Sequence, residues 1–331
     1  MSTTLPAGFT VRPATMEDIR SIAAIFIARE TALFGVTEST VDSMAEWILT
    51  VWQSPHFELE KDSWGVFASD GTAVGYVTLW RPELTPLQMY GSPRILPTYR
   101  GLGLTTFLLH AAETRARELM QEVATDVGVT LTSWTETADE AAQQLLVQEG
   151  YQPLRYYWRM ELEMDAPPPL PVWPDGISVR TFVPGLDNRA TYEAMDEGFR
   201  DSWGYEEGTF EEWERYGIAT SDFDPSLWFL AMDGNEIVGA ALCRHDVGET
   251  AHIGWIDELA IRPNWRKRGL AMALLHHAFR EFYQRDILKC GLTVDSENVS
   301  GATRLCERAG MHRSNKSDIR YQKVLRELRK E

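Results

Sequence analysis

An internal repeat constrains the fold of this chain more than any other feature of its sequence. Each half opens with a strand-like run that ends in Val-Arg, at Phe9–Arg12 and at Ile177–Arg180. Each half then places an Asp-Gly pair between two apolar runs, at Asp70–Gly71 and at Asp233–Gly234, and this pattern predicts a β-hairpin. The 331 residues suffice for two domains of ordinary size, so we expect two copies of one fold.

A loop rich in Arg and Gly also occurs twice, each time between a predicted strand and a long predicted helix. It contains Arg100 in the first half and Arg266 in the second. Nearly the same number of positions separates Gly75 from Gly239 as separates these two arginines. Near-constant offsets indicate duplication of one domain. Because strands and helices alternate after an antiparallel beginning, the predicted class is α/β (α+β).

A proline-rich segment marks the boundary between the two copies. Residues 165–174 include five prolines, which disfavour helix and strand and give an extended, semi-rigid connector. We therefore predict an N-terminal domain at 1–165, a linker at 166–174 and a C-terminal domain at 175–331.

The composition excludes several classes of function. The 49 acidic and 32 basic residues give a net charge of −17, which would repel nucleic-acid phosphates. Cys243, Cys290 and Cys306 are odd in number and lack paired spacing, so we expect no disulfide framework, no metal site and a cytoplasmic setting. Long apolar runs are absent, so we expect no membrane partner either.

The second copy of the loop combines small residues with positive charge at the start of a helix. Gly269 lets a phosphate approach closely, and Ala271 is nearly as small. Arg266, Lys267 and Arg268 add three cations in an acidic protein. Cations oppose the helix dipole at this end unless an anion is bound, so the pattern predicts a phosphate site.

The spacing Arg266-x-x-Gly269-x-Ala271 resembles the Q/R-x-x-G-x-G/A signature of the GNAT superfamily of N-acetyltransferases. The resemblance implies two tandem GNAT domains, each a mixed, mostly antiparallel sheet with splayed central strands flanked by helices. It also implies acetyl-CoA as acyl donor, with its pantetheine between the splayed strands and its pyrophosphate on this loop. The implied cofactor-binding residues are Leu259, Ala260, Ile261, Arg266, Lys267, Arg268, Gly269, Leu270, Ala271 and Asn298.

Three residues are candidates for catalysis. The attacking amine must be neutral, so a carboxylate near the end of the fourth strand is the expected general base. Asp257 and Glu258 both qualify, and strand alternation favours Asp257 because it would point where Leu259 points. Either carboxylate could instead only order a neighbour. Cys306 stands where the family often has a proton-donating tyrosine, but a free cysteine is also a common buried residue.

The acceptor region is less well defined by the sequence. Asp196, Glu197, Glu206 and Glu207 are candidates to line it and to favour a cationic amine. Aromatic residues gather in the same stretch at near-helical spacing, which favours core packing over an acceptor pocket. They are Phe199, Trp203, Tyr205, Phe210 and Trp213.

The first copy has lost part of the motif. Thr105 stands where Gly or Ala is usual, and Leu146 occupies the position of Cys306. The chain thus has a degenerate first copy and a second copy that keeps more of the motif. In this it resembles bacterial tandem GNAT proteins such as the mycothiol synthase group. We therefore expect acetyl transfer from acetyl-CoA to a primary amine of a small molecule, by direct attack in a ternary complex.

Two alternative functions make different demands on the sequence. The lost residues would also suit a non-catalytic acyl-CoA-binding or sensing protein. A dinucleotide-dependent oxidoreductase is excluded, because neither loop has the G-x-G-x-x-G turn at a first strand. Two fused copies can imitate a dimer, so either a monomer or a homodimer is compatible with the sequence.

Overall fold

The computed structural model describes residues 4–81, 87–205, 208–220, 223–247, 252–298 and 301–328. Contacts divide the chain into two compact units. The first unit combines Met1–Tyr156 with Lys316–Glu331, and the second is Tyr157–Asn315. The predicted domains are 1–165 and 175–331, and the units differ from them at two strands. The last strand of the second half belongs to the first unit, and the end of the last strand of the first half belongs to the second unit. Among the described residues, no helix has the length and apolar character needed to cross a membrane.

The first unit contains helices and two groups of strands. Its helices are α1 (Ile19–Phe34), α2 (Val41–Trp52), α3 (Leu59–Asp62), α4 (Leu104–Gln121) and α5 (Glu140–Gln148). Its strands are β1 (Phe9–Arg12), β2 (Ser63–Ala68), β3 (Ala73–Thr78), β4 (Leu87–Tyr90), β5 (Arg94–Ile95), β6 (Val129–Glu136), the beginning of β7 (Gln152–Glu163) and the last strand, β14 (Asp318–Arg326). Strands β1, β2, β3 and β5 pair antiparallel in that order. Strand β6 pairs with β4 in parallel and with β14 antiparallel.

The second unit has one continuous run of paired strands. Its helices are α6 (Asn188–Phe199), α7 (Phe210–Trp213), α8 (Leu270–Gln284) and α9 (Ala302–Arg308). Its strands are β8 (Ile177–Thr181), β9 (Trp228–Asp233), β10 (Glu236–Val247), β11 (His252–Ile261), β12 (Lys289–Asp295), β13 (His312–Arg313) and the end of β7. The order is β8-β9-β10-β11-β12-β7, and β13 also pairs with β7. Only the β11–β12 pair among these is parallel, which confirms the predicted mixed, mostly antiparallel sheet.

Strands β11 and β12 separate partway along their length. They pair at three positions, the last being Trp255 opposite Gly291. Beyond that point β11 stays paired with β10 as far as Ile261, and β12 stays paired with β7 as far as Asp295. A wedge therefore opens between β11 and β12, as the predicted splayed strands require. The first unit shows the same separation, because β4 pairs with β6 whereas β5 pairs with β3.

Helix α8 covers the second sheet through a regular apolar face. Its buried residues recur at helical spacing, as expected for a helix that packs on a sheet. They are Leu270, Ala273, Leu274, Leu275, Ala278, Phe279 and Phe282. Burying a side chain such as Leu or Phe contributes about 1.5–3 kcal/mol, so this face holds α8 and the loop before it in place.

The proline-rich segment lies against the second unit. The ring of Trp173 packs edge-on against His277 of α8, with 6.0 Å between ring centroids. Arg280 of the same helix donates a 2.7 Å hydrogen bond to the carbonyl of Pro168. The extended chain is therefore tied to α8 at two points.

Candidate active site in the C-terminal half

The two arginine–glycine loops have the same backbone conformation. Each follows a short 3₁₀ turn, at Pro97–Tyr99 and Pro263–Trp265. In the second unit, φ is 60° at Lys267 and 92° at Gly269, immediately before α8. In the first unit, the corresponding φ angles are 79° and 80°, and both positions are glycine. Matching torsions at corresponding residues support the duplication inferred from the sequence.

The C-terminal loop has the features of an anion site. Among the described residues, no backbone carbonyl accepts the N–H groups of Lys267, Arg268 or Gly269. The first N–H groups of α8 add further unpaired donors, and the helix dipole favours a negative charge there. A Cβ at Gly269 would meet no atom within 4 Å, so the loop faces open space.

The side chains of Lys267 and Arg268 add charge to this loop. Both are exposed, and neither forms a salt bridge with any residue in the described part of the chain. Two cations and a row of free N–H groups match the chemistry of a diphosphate.

Arg266 has a different environment from the other two cations. Its Nη2 donates a 2.7 Å hydrogen bond to the carbonyl of Gly198, at the end of α6. Its Nη1 forms a 2.5 Å salt bridge with Asp201, which lowers the pKa of that carboxyl. Its Nε donates to the carbonyl of Ile261 at 3.0 Å. The side chain thus anchors the loop to α6 and β11, and the sequence offered no signal for partners more than 60 residues away.

The open edge of β11 exposes two of the three predicted backbone positions. The N–H of Arg262 donates to the carbonyl of Val238 in β10. Because backbone groups of successive strand residues point to opposite edges, those of Ala260 also face β10. Those of Leu259 and Ile261 face the wedge. Leu259 therefore directs both its N–H and its carbonyl toward the wedge.

The strand carboxylates lie at a β-bulge in β11. Leu242 of β10 is opposite Glu258, and the next residue, Cys243, is opposite Ile256, so the register shifts by one residue at Asp257. The bulge breaks the strict alternation on which the preference for Asp257 rested. Asp257 is exposed and accepts a 2.9 Å hydrogen bond from Arg244 Nε.

Glu258 has the more unusual environment of the two. It is partly buried, and burial raises its pKa to about 7, with a smaller contribution from the charge of Asp257. A carboxyl group with a pKa near 7 can take a proton from an amine at neutral pH. The geometry therefore favours Glu258 as general base.

Cys306 and Asn298 lie on the other side of the wedge. Cys306 is 2% exposed and belongs to the hydrophobic core of the second unit. Burial raises the pKa of its thiol to about 11. This burial favours packing as its role. Asn298 lies in the turn after β12, where its N–H donates to the carbonyl of Asp295 at 3.1 Å.

The acidic residues of the acceptor region are held by neighbours. Asp196 forms a 2.7 Å salt bridge with Arg200 and accepts a hydrogen bond from the hydroxyl of Tyr205. Glu197 pairs with Arg262 at 3.2 Å. Glu206 and Glu207 lie outside the described residues.

The aromatic residues of the same region divide between core and surface. Phe199 and Trp213 pack against a buried cluster that includes Trp228, whereas Trp203 is 48% exposed. The core interpretation therefore holds for Phe199 and Trp213.

Comparisons with known proteins agree with this geometry. The chain matches the Acetyltransferase (GNAT) family twice, at residues 26–150 and 189–311. It is 27% identical over 232 residues to a protein named mycothiol acetyltransferase from Catenulispora acidiphila, covering 69% of this chain and 70% of that protein. A protein of the same name from Thermobispora bispora is 30% identical over 225 residues, covering 66% of this chain and 70% of that protein.

Solved structures show the same similarity. A GCN5-related N-acetyltransferase from Sphaerobacter thermophilus has a TM-score of 0.77 at 35% identity, over 98% of each chain. A tandem GNAT protein from the clavulanic acid pathway has a TM-score of 0.68 at 14% identity, over 96% of this chain and 98% of that one, and supports the fold alone. This chain therefore belongs to the GNAT acetyltransferase family as a tandem member, and it is an acetyl-CoA-dependent N-acetyltransferase.

Proposed function

We propose that the C-terminal half performs the acetyl transfer, with Glu258 as general base and a primary amine of a small molecule as acceptor. The observation that carries this proposal is a carboxyl group with a pKa of about 7 on β11, the strand that leads into the diphosphate-type loop. The acid–base group and the anion site thus lie at the two ends of one short stretch of chain.

The reaction proceeds by direct attack in a ternary complex. The N–H groups of the Lys267–Gly269 loop hold the pyrophosphate of acetyl-CoA, and Leu259 bonds its pantetheine arm at the open edge of β11. Glu258 takes a proton from the acceptor ammonium, directly or through a water. The neutral amine then attacks the thioester carbonyl to form the C–N bond. The C–S bond breaks, and the proton lost by the new amide nitrogen neutralises the departing CoA thiolate. Cys306 supports this wall of the wedge by packing.

The N-terminal half has different residues at the positions that correspond to Glu258 and Leu259. Ile95 is opposite Gly75 in the first unit, and Ile261 is opposite Gly239 in the second, so the two registers can be aligned. In this alignment Ser92 corresponds to Glu258, and Pro93 corresponds to Leu259. Ser92 is a poor base, and Pro93 has no N–H to donate. These differences support catalysis by the second copy and a degenerate role for the first.

The relatives named mycothiol acetyltransferase suggest a candidate acceptor. We propose that the acceptor is a small polar amine of this kind, and the unacetylated form of mycothiol is the first compound to test. A broader panel of primary amines would reveal a different acceptor.

A thiol-release assay with acetyl-CoA tests the proposal directly. We expect CoA release that depends on the amine and falls by about 10²–10⁴ in Glu258→Gln. Acetyl-CoA binding without turnover on any amine would instead support the acyl-CoA-binding or sensing alternative. Full activity in Glu258→Gln would exclude Glu258 as the base.

A further inference from the structure

The wedge of the N-terminal unit contains a buried network of charged side chains. Arg29 of α1 is 5% exposed and forms a 2.9 Å salt bridge with Asp139, which is 4% exposed. Arg29 also pairs with Glu136, at the end of β6, and donates to the hydroxyl of Thr135 at 2.9 Å. Buried groups of this kind require partners, and here each finds one within the unit.

Arg100 connects this network to the N-terminal loop. It has the loop position that Arg266 has in the second unit, but its Nη2 pairs with Asp139 at 2.8 Å. Asp139 is the N-cap of α5, the helix that follows β6. The salt bridge therefore joins the loop after β5 to the helix after β6, across the mouth of the wedge. In the second unit the N-cap of α9 is Gly301, which has no side chain to make this contact.

Further hydrogen bonds cross the same wedge between the separating strands. Ser92 donates from its hydroxyl to the carbonyl of Trp134 in β6. Arg94 of β5 is buried and donates from Nη1 to the Ser92 hydroxyl at 2.6 Å and to the Trp134 carbonyl at 3.4 Å. The N–H of Gly91 donates to the carbonyl of Thr132 at 2.9 Å. The protein's own groups thus bridge the strands that are splayed open in the second unit.

The arginines of the network have partners within the unit, without a ligand. Arg29 and Arg100 form salt bridges with Glu136 and Asp139, and Arg94 donates hydrogen bonds to Ser92 and Trp134. The loop itself has Gly101 and Leu102 where the second copy has Lys267 and Arg268. Arg29, Arg94 and Arg100 are therefore already engaged with groups of the protein, which leaves them unsuited to bind a diphosphate.

We propose that these residues close the N-terminal groove, so that each chain binds one acyl-CoA, in its C-terminal half. The inference rests on the proposed function, because it takes the C-terminal loop as the working site.

Calorimetry with acetyl-CoA on the full chain tests the proposal by counting sites. Two matched variants change the charge at corresponding, exposed loop positions. Arg268→Glu reverses the charge in the second copy, and Leu102→Glu adds a negative charge in the first. We expect one site per chain in the wild type. Affinity should fall by about tenfold or more in Arg268→Glu, because a cation at the diphosphate becomes an anion. Leu102→Glu should match the wild type in stoichiometry and affinity.

The outcomes separate this inference from the proposed function. Two sites per chain, with one lost in Leu102→Glu, would overturn the closed groove and leave catalysis by the C-terminal half intact. A single site that is lost in Leu102→Glu but kept in Arg268→Glu would overturn both. No binding at all would overturn the proposed function and, with it, the single C-terminal site.

Discussion

Glu258 and Asp257 are adjacent in the chain, but a single bulge gives them different environments. Asp257 is exposed and paired with Arg244, whereas Glu258 is partly buried and has a pKa of about 7. Burial disfavours the charged carboxylate, and the negative charge of Asp257 adds to that effect. Two neighbouring acids can therefore have different roles in one site.

The activity should depend on pH through Glu258. A general base works in its deprotonated form, so kcat/KM should rise as pH increases through about 7. Glu258→Gln should lose most of the activity together with this dependence. Asp257→Asn should keep most of the activity and move the midpoint of the kcat/KM profile to lower pH. Removing the Asp257 charge makes Glu258 easier to ionise. Loss of activity in Asp257→Asn but not in Glu258→Gln would reverse the two assignments.

Asp318 should make the stability of the protein depend on pH. Burial raises its pKa to about 6 from 3.8, with the charge of Glu136 adding to the effect and Arg94, Arg29 and Arg320 opposing it. Between those values the folded state binds the proton more tightly, so this group's contribution to stability falls as pH rises. Asp318→Asn keeps the shape of the side chain without its charge. It should raise the free energy of unfolding by about 1–3 kcal/mol at pH 8. Urea unfolding at pH 8 and pH 4 should show that gain only at pH 8, and a loss at pH 8 would contradict it.

At the scale of elements, the loop before α8 combines a left-handed backbone with positive charge. Lys267 has φ of 60°, a conformation that costs an L-residue about 1–2 kcal/mol, and the first copy has Gly101 at the same position. The second copy therefore retains a strained lysine where glycine would be more stable. The diphosphate-binding role proposed for this loop would account for the difference.

Exchanging these two residues separates stability from binding. Lys267→Gly should raise the free energy of unfolding by about 0.5–1 kcal/mol and weaken acetyl-CoA binding, because strain and cation are lost together. Gly101→Lys should lower stability by a similar amount without changing acetyl-CoA binding. Chemical denaturation and calorimetry on both variants check the pair. Stronger acetyl-CoA binding by Lys267→Gly would contradict a role for this cation.

At the scale of the whole molecule, each of the two units contains a strand from the other half of the sequence. Strand β14 belongs to the first unit and pairs with β6, from Asp318 opposite Glu136 to Arg326 opposite Val129. The end of β7 belongs to the second unit and pairs with β12 over seven positions. Each unit therefore needs a segment from the other half of the sequence.

Cutting the chain at the proline-rich segment should therefore disrupt both halves. Fragment 1–165 lacks β14, and fragment 166–331 lacks β7, so each leaves the edge of a central strand unpaired. We expect neither fragment to fold alone, and we expect the two expressed together to recover the full-length circular dichroism spectrum and activity. A fragment 166–331 that is folded and active by itself would contradict the strand exchange.

The sequence by itself determined the duplication and the class of fold, and it predicted the place of the anion loop. These signals are local: an Asp-Gly pair sets a hairpin, and small residues before an amphipathic run set a helix start that can bind phosphate. The splayed strands and the acetyl-CoA donor followed from the family resemblance that those local motifs carry.

Only the tertiary structure decided how the side chains near the loop are used. Arg266 anchors the loop instead of remaining free, because Gly198 and Asp201 are brought to it by α6. Glu258 replaces Asp257 as the favoured base because a bulge depends on the register between two strands, which alternation along one strand cannot predict. Strand exchange and the burial of Cys306 likewise depend on which distant segments meet, and contacts of that kind form only when the whole chain has folded.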